Sequence, residues 1–304
     1  MISTKNIIKD RILIIGSNGM LGQRLVDCYD FMNTEMLAAS AEESSFIENV
    51  EYKQVDITNK KAVGELVKSF YPDVIINAAA FTAVDLCETE KELAWKVNAE
   101  GPKYLAFYAG AIDAHLIHIS TDYVFNGKAG PYDENAPIDP INYYGKTKLA
   151  GENALRVSNA RNTIIRTNVL YGPVKKGRPD FVKWVVQTLR EGKRIRIVDD
   201  QINNPTFIDD LVSAIVKVIA SKKLGVYHIG GNEFLNRFDF TMRIAEYFDL
   251  DKNLVDRIKT EELNQPAKRP LKSGLITLKA ETEFGYKPHK IEETFAILKK
   301  ELKL

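Results

Sequence analysis

Ile12-Leu13-Ile14-Ile15-Gly16-Ser17-Asn18-Gly19-Met20-Leu21-Gly22 is the stretch that decides the fold. Four consecutive large aliphatic residues suit a strand buried on both faces, as in a parallel sheet. The chain then turns at once through glycines spaced Gly-x-x-Gly-x-x-Gly and enters an amphipathic run, Leu21 to Tyr29. Glycine permits the tight turn and lets backbone amides approach a phosphate. The helix that follows points its free amides and its dipole at the same place. A glycine turn between a buried strand and a helix, near the N-terminus, predicts nucleotide binding.

Outward from this unit the pattern repeats. Val74 to Ile76, Leu116 to Ile119 and Thr163 to Ile165 are further solid apolar runs. Lys61 to Phe70 reads as a helix stopped by Tyr71-Pro72-Asp73. Glu90 to Ala109 carries Leu93, Val97, Tyr104 and Tyr108 at helical spacing, and Gly101-Pro102 predicts a bend or break within it. Strands alternating with helices predict an α/β class, a Rossmann-type doubly wound parallel sheet. Composition shifts after Tyr171-Gly172-Pro173. Val174 to Arg178 reads as loop, Phe181 to Leu189 as helix and Ile195 to Val198 as a short strand. Ile208 to Ala220 is a helix with Asp209 and Asp210 in its first turn. Gly225 to Gly231 is a strand ending in a turn, and Phe238 to Phe248 and Ile291 to Leu298 are helices. The expected organisation is a Rossmann domain over residues 1–172, rejoined by 208–231, and a smaller mixed substrate domain over 173–304.

With 304 residues, 45% hydrophobic and 27% charged, the composition is globular and argues against wholesale disorder. Lys+Arg number 42 against 41 Asp+Glu, so the net charge of +1 removes the usual electrostatic reason to expect nucleic acid or an anionic membrane as partner. The 2 cysteines, Cys28 and Cys87, supply no disulfide framework and are expected reduced and buried. His115, His118, His228 and His289 lack metal-ligand spacing, so no metal is expected. Trp95 and Trp184 read as packing residues. No apolar run matches a secretory signal or a membrane span, which makes a cytoplasmic protein the expectation.

Three further signals follow in order. The second strand, read as Met36 to Ala39, ends at Ser40 rather than at the carboxylate that would hold the adenosine ribose of NAD. Glu42 and Glu43 follow and Arg24 is nearby, so the choice between NAD and NADP stays open. Val55-Asp56-Ile57 reads as the close of a third strand, with Asp56 placed to accept from an adenine amino group. Ile117-His118-Ile119-Ser120-Thr121-Asp122 is a buried strand running into hydroxyls at the end where open α/β sheets bind ligands. Tyr144 and Lys148 are four apart and share a helix face. A free phenol titrates near pH ~10. A neighbouring ammonium is expected to lower that value, and the same lysine can hold ribose hydroxyls. Thr121 beside Tyr144 can bind a substrate carbonyl oxygen.

With these residues, the sequence resembles the extended short-chain dehydrogenase/reductase superfamily, and within it the dTDP-4-dehydrorhamnose reductases. The likeness is carried by Asn77 to Asp85, Ser120 to Gly127 and Tyr143 to Glu152, and more thinly by Asp200 to Thr206 and Arg269-Pro270. The resemblance implies an NAD(P)-binding domain with a smaller domain closing over a nucleotide sugar. It implies that Gly16, Gly19, Met20, Leu21 and Gly22 hold the pyrophosphate, with Asn18 and Ser40 among the cofactor contacts. Asp56 and Ile57 would flank adenine, Ala78, Ala79 and Ala80 would line the cofactor path, and Asn98 would orient that wall. Thr121, Tyr144 and Lys148 match the catalytic trio, and Thr121, Asp122, Val169 and Arg269 fall at substrate positions. Val169 stands where well-known members carry a tryptophan that packs on the deoxysugar. Arg24 stands where metal-binding members have a glutamate, so no magnesium bridge is expected. The implied reaction is reduction of the 4-keto group of a nucleotide-linked 6-deoxysugar by NAD(P)H, with Tyr144 as proton donor. Val169-Leu170-Tyr171-Gly172 is also similar to the regulatory β subunit of methionine adenosyltransferase. A cofactor-binding subunit without turnover is therefore one alternative, and a nucleotide-sugar epimerase is another. The dehydratase pattern fits less well, because Tyr123 rather than a second carboxylate follows Asp122. A homodimer or a partner enzyme is left open.

Overall fold

Asp10–Ile15 forms β1, and its last four side chains are fully buried. The computed structural model describes residues 10–28 and 34–302; Tyr29 and the side chain of Cys28 lie outside what is described. In chain order there follow α1 (Met20–Cys28), β2 (Thr34–Ser40), β3 (Glu51–Gln54), α2 (Lys60–Phe70) and β4 (Val74–Asn77). Then come α3 (Lys91–Trp95), a π-helical turn (Lys96–Glu100), α4 (Gly101–Ala111), β5 (His115–Thr121), α5 (Tyr143–Arg156) and β6 (Arg161–Thr167). The remainder is β7 (Leu170–Tyr171), α6 (Phe181–Arg190), β8 (Ile195–Val198), β9 (Ile202–Asn203), β10 (Thr206–Phe207) and α7 (Ile208–Ser221). After these come β11 (Gly225–His228), β12 (Leu235–Asn236), α8 (Arg237–Tyr247), β13 (Val255–Ile258), α9 (Leu278–Phe284) and α10 (Ile291–Glu301).

Seven strands form one sheet in the order β11-β6-β5-β4-β1-β2-β3, and every pairing in it is parallel. The order reverses between β1 and β4, which is where a doubly wound sheet opens a crevice at its carboxyl ends. Successive side chains on a strand face opposite ways. Ile12 and Ile14 accordingly join one core, with Ile76, Ile117 and Ile165. Leu13 and Ile15 join the other, with Ile75, Leu116, Val67 and Leu105. The first core runs on without a break into Val182 and Val186 of α6, Phe240 and Ile244 of α8, and Phe295 of α10. The smaller part of the chain thus shares a core with the sheet, and β11 extends that sheet beside β6.

Two expected features differ. The third strand is Glu51–Gln54, and Val55-Asp56-Ile57 follows it as connection. Gly101-Pro102 does not break the helical run. Pro102 has no amide to donate, and the wider π turn just before it absorbs the missing bond, so α3 continues into α4.

Outside the main sheet there are three two-stranded pairings among the described residues, β10 with β7, β12 with β9 and β13 with β8. The chain then returns to the first part. Ser273 donates its amide to Ile202, and Lys272 donates to Gly127. This return delivers Ser273 to the end of β5. Among the described residues no helix is long and apolar enough to cross a membrane.

Candidate active site

The glycine loop lies at the reversal point of the sheet. Gly16 (φ +80°) and Ser17 both donate their amides to the Ala39 carbonyl, at 2.8 and 3.1 Å, which ties the loop to β2. A Cβ on Gly16 would meet the Ala79 nitrogen at 2.5 Å, and one on Gly22 would meet the Gly16 carbonyl oxygen at 2.2 Å. Only bare backbone fits there. Met20, Leu21 and Gly22 form the first turn of α1, whose amides have no carbonyl of their own helix to bond. The buried Ser17 hydroxyl has no partner among the described residues. A cradle closed to side chains, lined by helix-start amides and an unpaired hydroxyl, fits a dinucleotide diphosphate.

Other predicted cofactor residues divide into two groups. Ala78, Ala79 and Ala80 form a partly open wall beside Gly16. Asn98, on the π turn, clamps that wall. It accepts from the Phe81 amide at 2.8 Å, donates to the Phe81 carbonyl at 3.1 Å, and donates to the Thr147 hydroxyl on α5 at 3.1 Å. Ile57 is buried against Gly101. In contrast, the Asn18 side chain is engaged with the loop after β2. It donates to Glu42 and to the Ser44 carbonyl and accepts from the Phe46 amide, leaving its backbone alone for a ligand. Asp56 is an exposed loop residue whose Oδ1 accepts from the Thr58 amide at 2.8 Å. Ser40 is buried at the end of β2, with its hydroxyl bonded to Glu42.

The second cluster lies at the end of β5. Asn142 caps α5 by accepting from the Gly145 amide at 2.8 Å. Gly145 presses directly on the turn after β5, where a Cβ would meet the Tyr123 carbonyl oxygen at 2.2 Å. That close approach sets Tyr144, the residue before it, beside Thr121, whose hydroxyl pulls the phenol's pKa down. The Thr121 hydroxyl donates to Asp122 Oδ1 at 3.0 Å, and Ser273 Oγ donates to Asp122 Oδ2 at 2.5 Å. Ser273 was invisible to sequence reasoning, since nothing local marks it as a partner of Asp122. Burial raises the Asp122 pKa to about 6, against the opposing pull of those hydroxyls.

The expected lowering of the Tyr144 phenol is overturned. Burial, aided by the charge of Asp122, pushes its pKa well above the ordinary value, and the Thr121 hydrogen bond offsets this only in part. The Lys148 ammonium faces elsewhere, donating to the Ile119 carbonyl at 2.6 Å. Burial lowers Lys148 to about 8, opposed by Glu152 one turn further along α5. Glu152 anchors a buried network behind the site. It accepts from Ser120 at 2.6 Å and from Nε and Nη2 of Arg166, at 2.9 and 2.8 Å, with the Glu152 and Arg166 side chains wholly buried. Arg166 in turn approaches His228, so this histidine has a defined place in the network rather than a purely apolar one.

Five other residues singled out from the sequence are placed as follows. Arg269 is forked onto Asp85, at 3.0 and 2.7 Å, so its guanidinium is engaged within the protein. Val169 is partly buried and lines a small space with Phe181 and Phe240. Trp184 is not a core residue. It is 38% exposed and lines a cleft of about 490 Å³ with Tyr123, Phe181, Arg237 and Arg269. Cys87 is buried beside Tyr144, and burial raises its thiol to about 11. Arg24 binds Asp209 and Glu301, and no group of three or more metal-ligating side chains occurs among the described residues.

A doubly wound parallel sheet with a glycine loop at the reversal point and a Tyr–Lys pair beside a strand-end threonine defines an extended short-chain dehydrogenase/reductase. The profile of the RmlD substrate binding domain matches residues 10–303, and the chain belongs to that family. It is 35% identical, over 91% of its length and 94% of the relative's, to dTDP-4-dehydrorhamnose reductase of Aggregatibacter actinomycetemcomitans. It is 31% identical to methionine adenosyltransferase 2 subunit beta of Rattus norvegicus, over 91% of this chain and 83% of that one. The crystal structure of a dTDP-4-dehydrorhamnose reductase from Clostridium acetobutylicum superposes with a TM-score of 0.88 at 35% identity, covering 97% of this chain and 100% of that one. The Bacillus anthracis enzyme of the same name, in complex with NADP, gives 0.86 at 33% identity with the same coverage.

Proposed function

We propose that the chain reduces the 4-keto group of a nucleotide-linked 6-deoxysugar, as an NAD(P)H-dependent oxidoreductase. The carrying observation is the contact of the Tyr144 phenol with Thr121 at the carboxyl end of β5, the edge of the sheet that also bears the glycine loop. In this reading Gly16, Gly19, Met20, Leu21 and Gly22 hold the cofactor diphosphate, and Ala78, Ala79 and Ala80 guide it towards Tyr144. A bound nicotinamide supplies the hydride. Tyr144 supplies the proton, and its high pKa keeps it protonated until charge develops on the substrate oxygen. General acid catalysis of this kind typically gives ~10²–10⁴-fold in rate. Thr121 positions that oxygen, with its own donor fixed by Asp122. Lys148, lowered to about 8 by burial, turns from the Ile119 carbonyl to hold the cofactor ribose in this reading. The cleft beside Trp184 and Tyr123 takes the nucleotide, whose phosphates draw Arg269 from Asp85. Residues 10–172 with 208–231 act as the cofactor domain and the rest closes over the sugar. This reading places the chain in the cytoplasm.

The test is direct. Purified chain is mixed with NADH or NADPH and dTDP-4-keto-6-deoxyhexose, and nicotinamide absorbance is followed. Consumption of cofactor with reduction at C4 is expected. The similarity to a methionine adenosyltransferase β subunit supports a second reading, a cofactor-binding subunit without turnover. Binding without consumption, together with a stable complex with a partner enzyme, would favour that reading and contradict the first.

A further inference from the structure

We propose that this chain selects NADH over NADPH, and that the carboxylate of Glu42 makes the selection. The inference rests on the dinucleotide reading of the glycine loop. In a doubly wound sheet, the residues just past the second strand meet the adenosine ribose. There β2 ends at Ser40, which carries no charge, and Glu42 follows within two residues.

The Glu42 side chain is held at that place. Asn18, inside the glycine loop, donates Nδ2–H to Glu42 Oε2 at 3.1 Å. The Ser40 hydroxyl bonds to the same carboxylate, and although burial works against it, these hydrogen bonds keep Glu42 below the usual carboxylate range and charged. The loop that carries it is pinned as well. Asn18 donates to the Ser44 carbonyl at 2.9 Å and accepts from the Phe46 amide at 2.8 Å. Tyr52 donates to the Glu42 carbonyl at 2.5 Å, and Gln54 donates to the Ala41 carbonyl at 2.9 Å. One asparagine therefore fixes the ribose-side carboxylate to the phosphate-side loop.

An ionised carboxylate only accepts hydrogen bonds. It pairs with a ribose 2′-hydroxyl and opposes a 2′-phosphate as a like charge. Arg24, a cation near that place, is committed. Arg24 is forked onto Asp209, at 2.5 and 2.7 Å, and also bonds Glu301 at 2.9 Å. The Lys176 ammonium lies over the Phe46 ring at 5.8 Å, at the other end of the pinned loop.

The test is a binding titration of the full chain with NADH and with NADPH, without substrate, read by nicotinamide fluorescence. NADH is expected to bind at least about tenfold more tightly, the scale of one like-charge opposition. Glu42→Gln should bring the two within about threefold, and Glu42→Arg should reverse the order, as expected for removal and then inversion of one charge. Glu42 is exposed, so circular dichroism and the thermal midpoint of both variants should match the parent. NADPH binding as tight as NADH in the parent overturns the proposal. A preference for NADPH abolished by Lys176→Ala would overturn it too and give Lys176 the 2′-phosphate. Binding of neither cofactor would instead remove the dinucleotide reading on which the proposal stands.

Discussion

At the carboxyl end of β1 the chain presents backbone; at the carboxyl end of β5 it presents side chains. The glycine loop owes its shape to missing atoms. A Cβ on Gly22 would lie 2.2 Å from the Gly16 carbonyl oxygen, so the geometry is set by steric exclusion within a few consecutive residues. The reaction centre owes its shape to polar contacts reached across the chain. Hydrogen bonds join Ser120 and Arg166 to Glu152, and Ser273 to Asp122, and all five residues are buried. A cradle of the first kind fails when something is added, and a centre of the second kind fails when a partner is removed.

The largest stability effect should follow from removing a partner behind the centre. Glu152→Ala leaves the fully buried Arg166 guanidinium uncompensated. A loss of about 3–5 kcal/mol is expected in chemical denaturation. A loss under about 1 kcal/mol would show that the network does not hold this end of β5. At the cradle, Gly22→Ala adds one methyl group where backbone already stands. A stability loss of about 1–3 kcal/mol is expected, and dinucleotide affinity should fall at least about tenfold, equivalent to about 1.4 kcal/mol. Unchanged affinity in a titration would break the contrast between the two regions.

A smaller and pH-dependent effect should come from Asp122. Burial raises its folded pKa from 3.8 to about 6. The folded state therefore binds more protons than the unfolded state between these values, and stability contributed by Asp122 is present below 3.8 and lost as pH rises through about 6. Asp122→Asn should flatten the decline of the thermal midpoint across that window, and an unaltered slope would remove Asp122 as its source. The smallest change should be Asp85→Asn. The Arg269–Asp85 pair has one partly exposed partner, at 36%, so less than about 1 kcal/mol of stability is expected to be lost. A loss of several kcal/mol would make this contact a structural anchor rather than a displaceable one.

The same contrast governs what the sequence revealed. The β1–loop–α1 unit was legible because its strand, turn and helix signals are contiguous, and β4, β5 and β6 were legible as solid apolar runs. β3 was misplaced because it is a polar edge strand, mostly exposed and paired only with β2, so the apolar Val55 and Ile57 beside it drew the boundary. Tyr144, Lys148 and Thr121 could be picked out as residue types at helix and strand spacings. Their electrostatics could not, because burial raises the Tyr144 phenol while the Lys148 ammonium is turned to the Ile119 carbonyl. The contact of Ser273 with Asp122 and the pairing of Arg269 with Asp85 arise from chain return over long separations, for which no local pattern exists.

The separation of cradle from centre is tested most directly by Tyr144→Phe, with dinucleotide affinity and turnover measured on the same preparation. The account predicts an unchanged dissociation constant and a fall in kcat of about 10²–10⁴-fold. Turnover close to that of the parent chain, or loss of cofactor binding with the phenol oxygen, would contradict it.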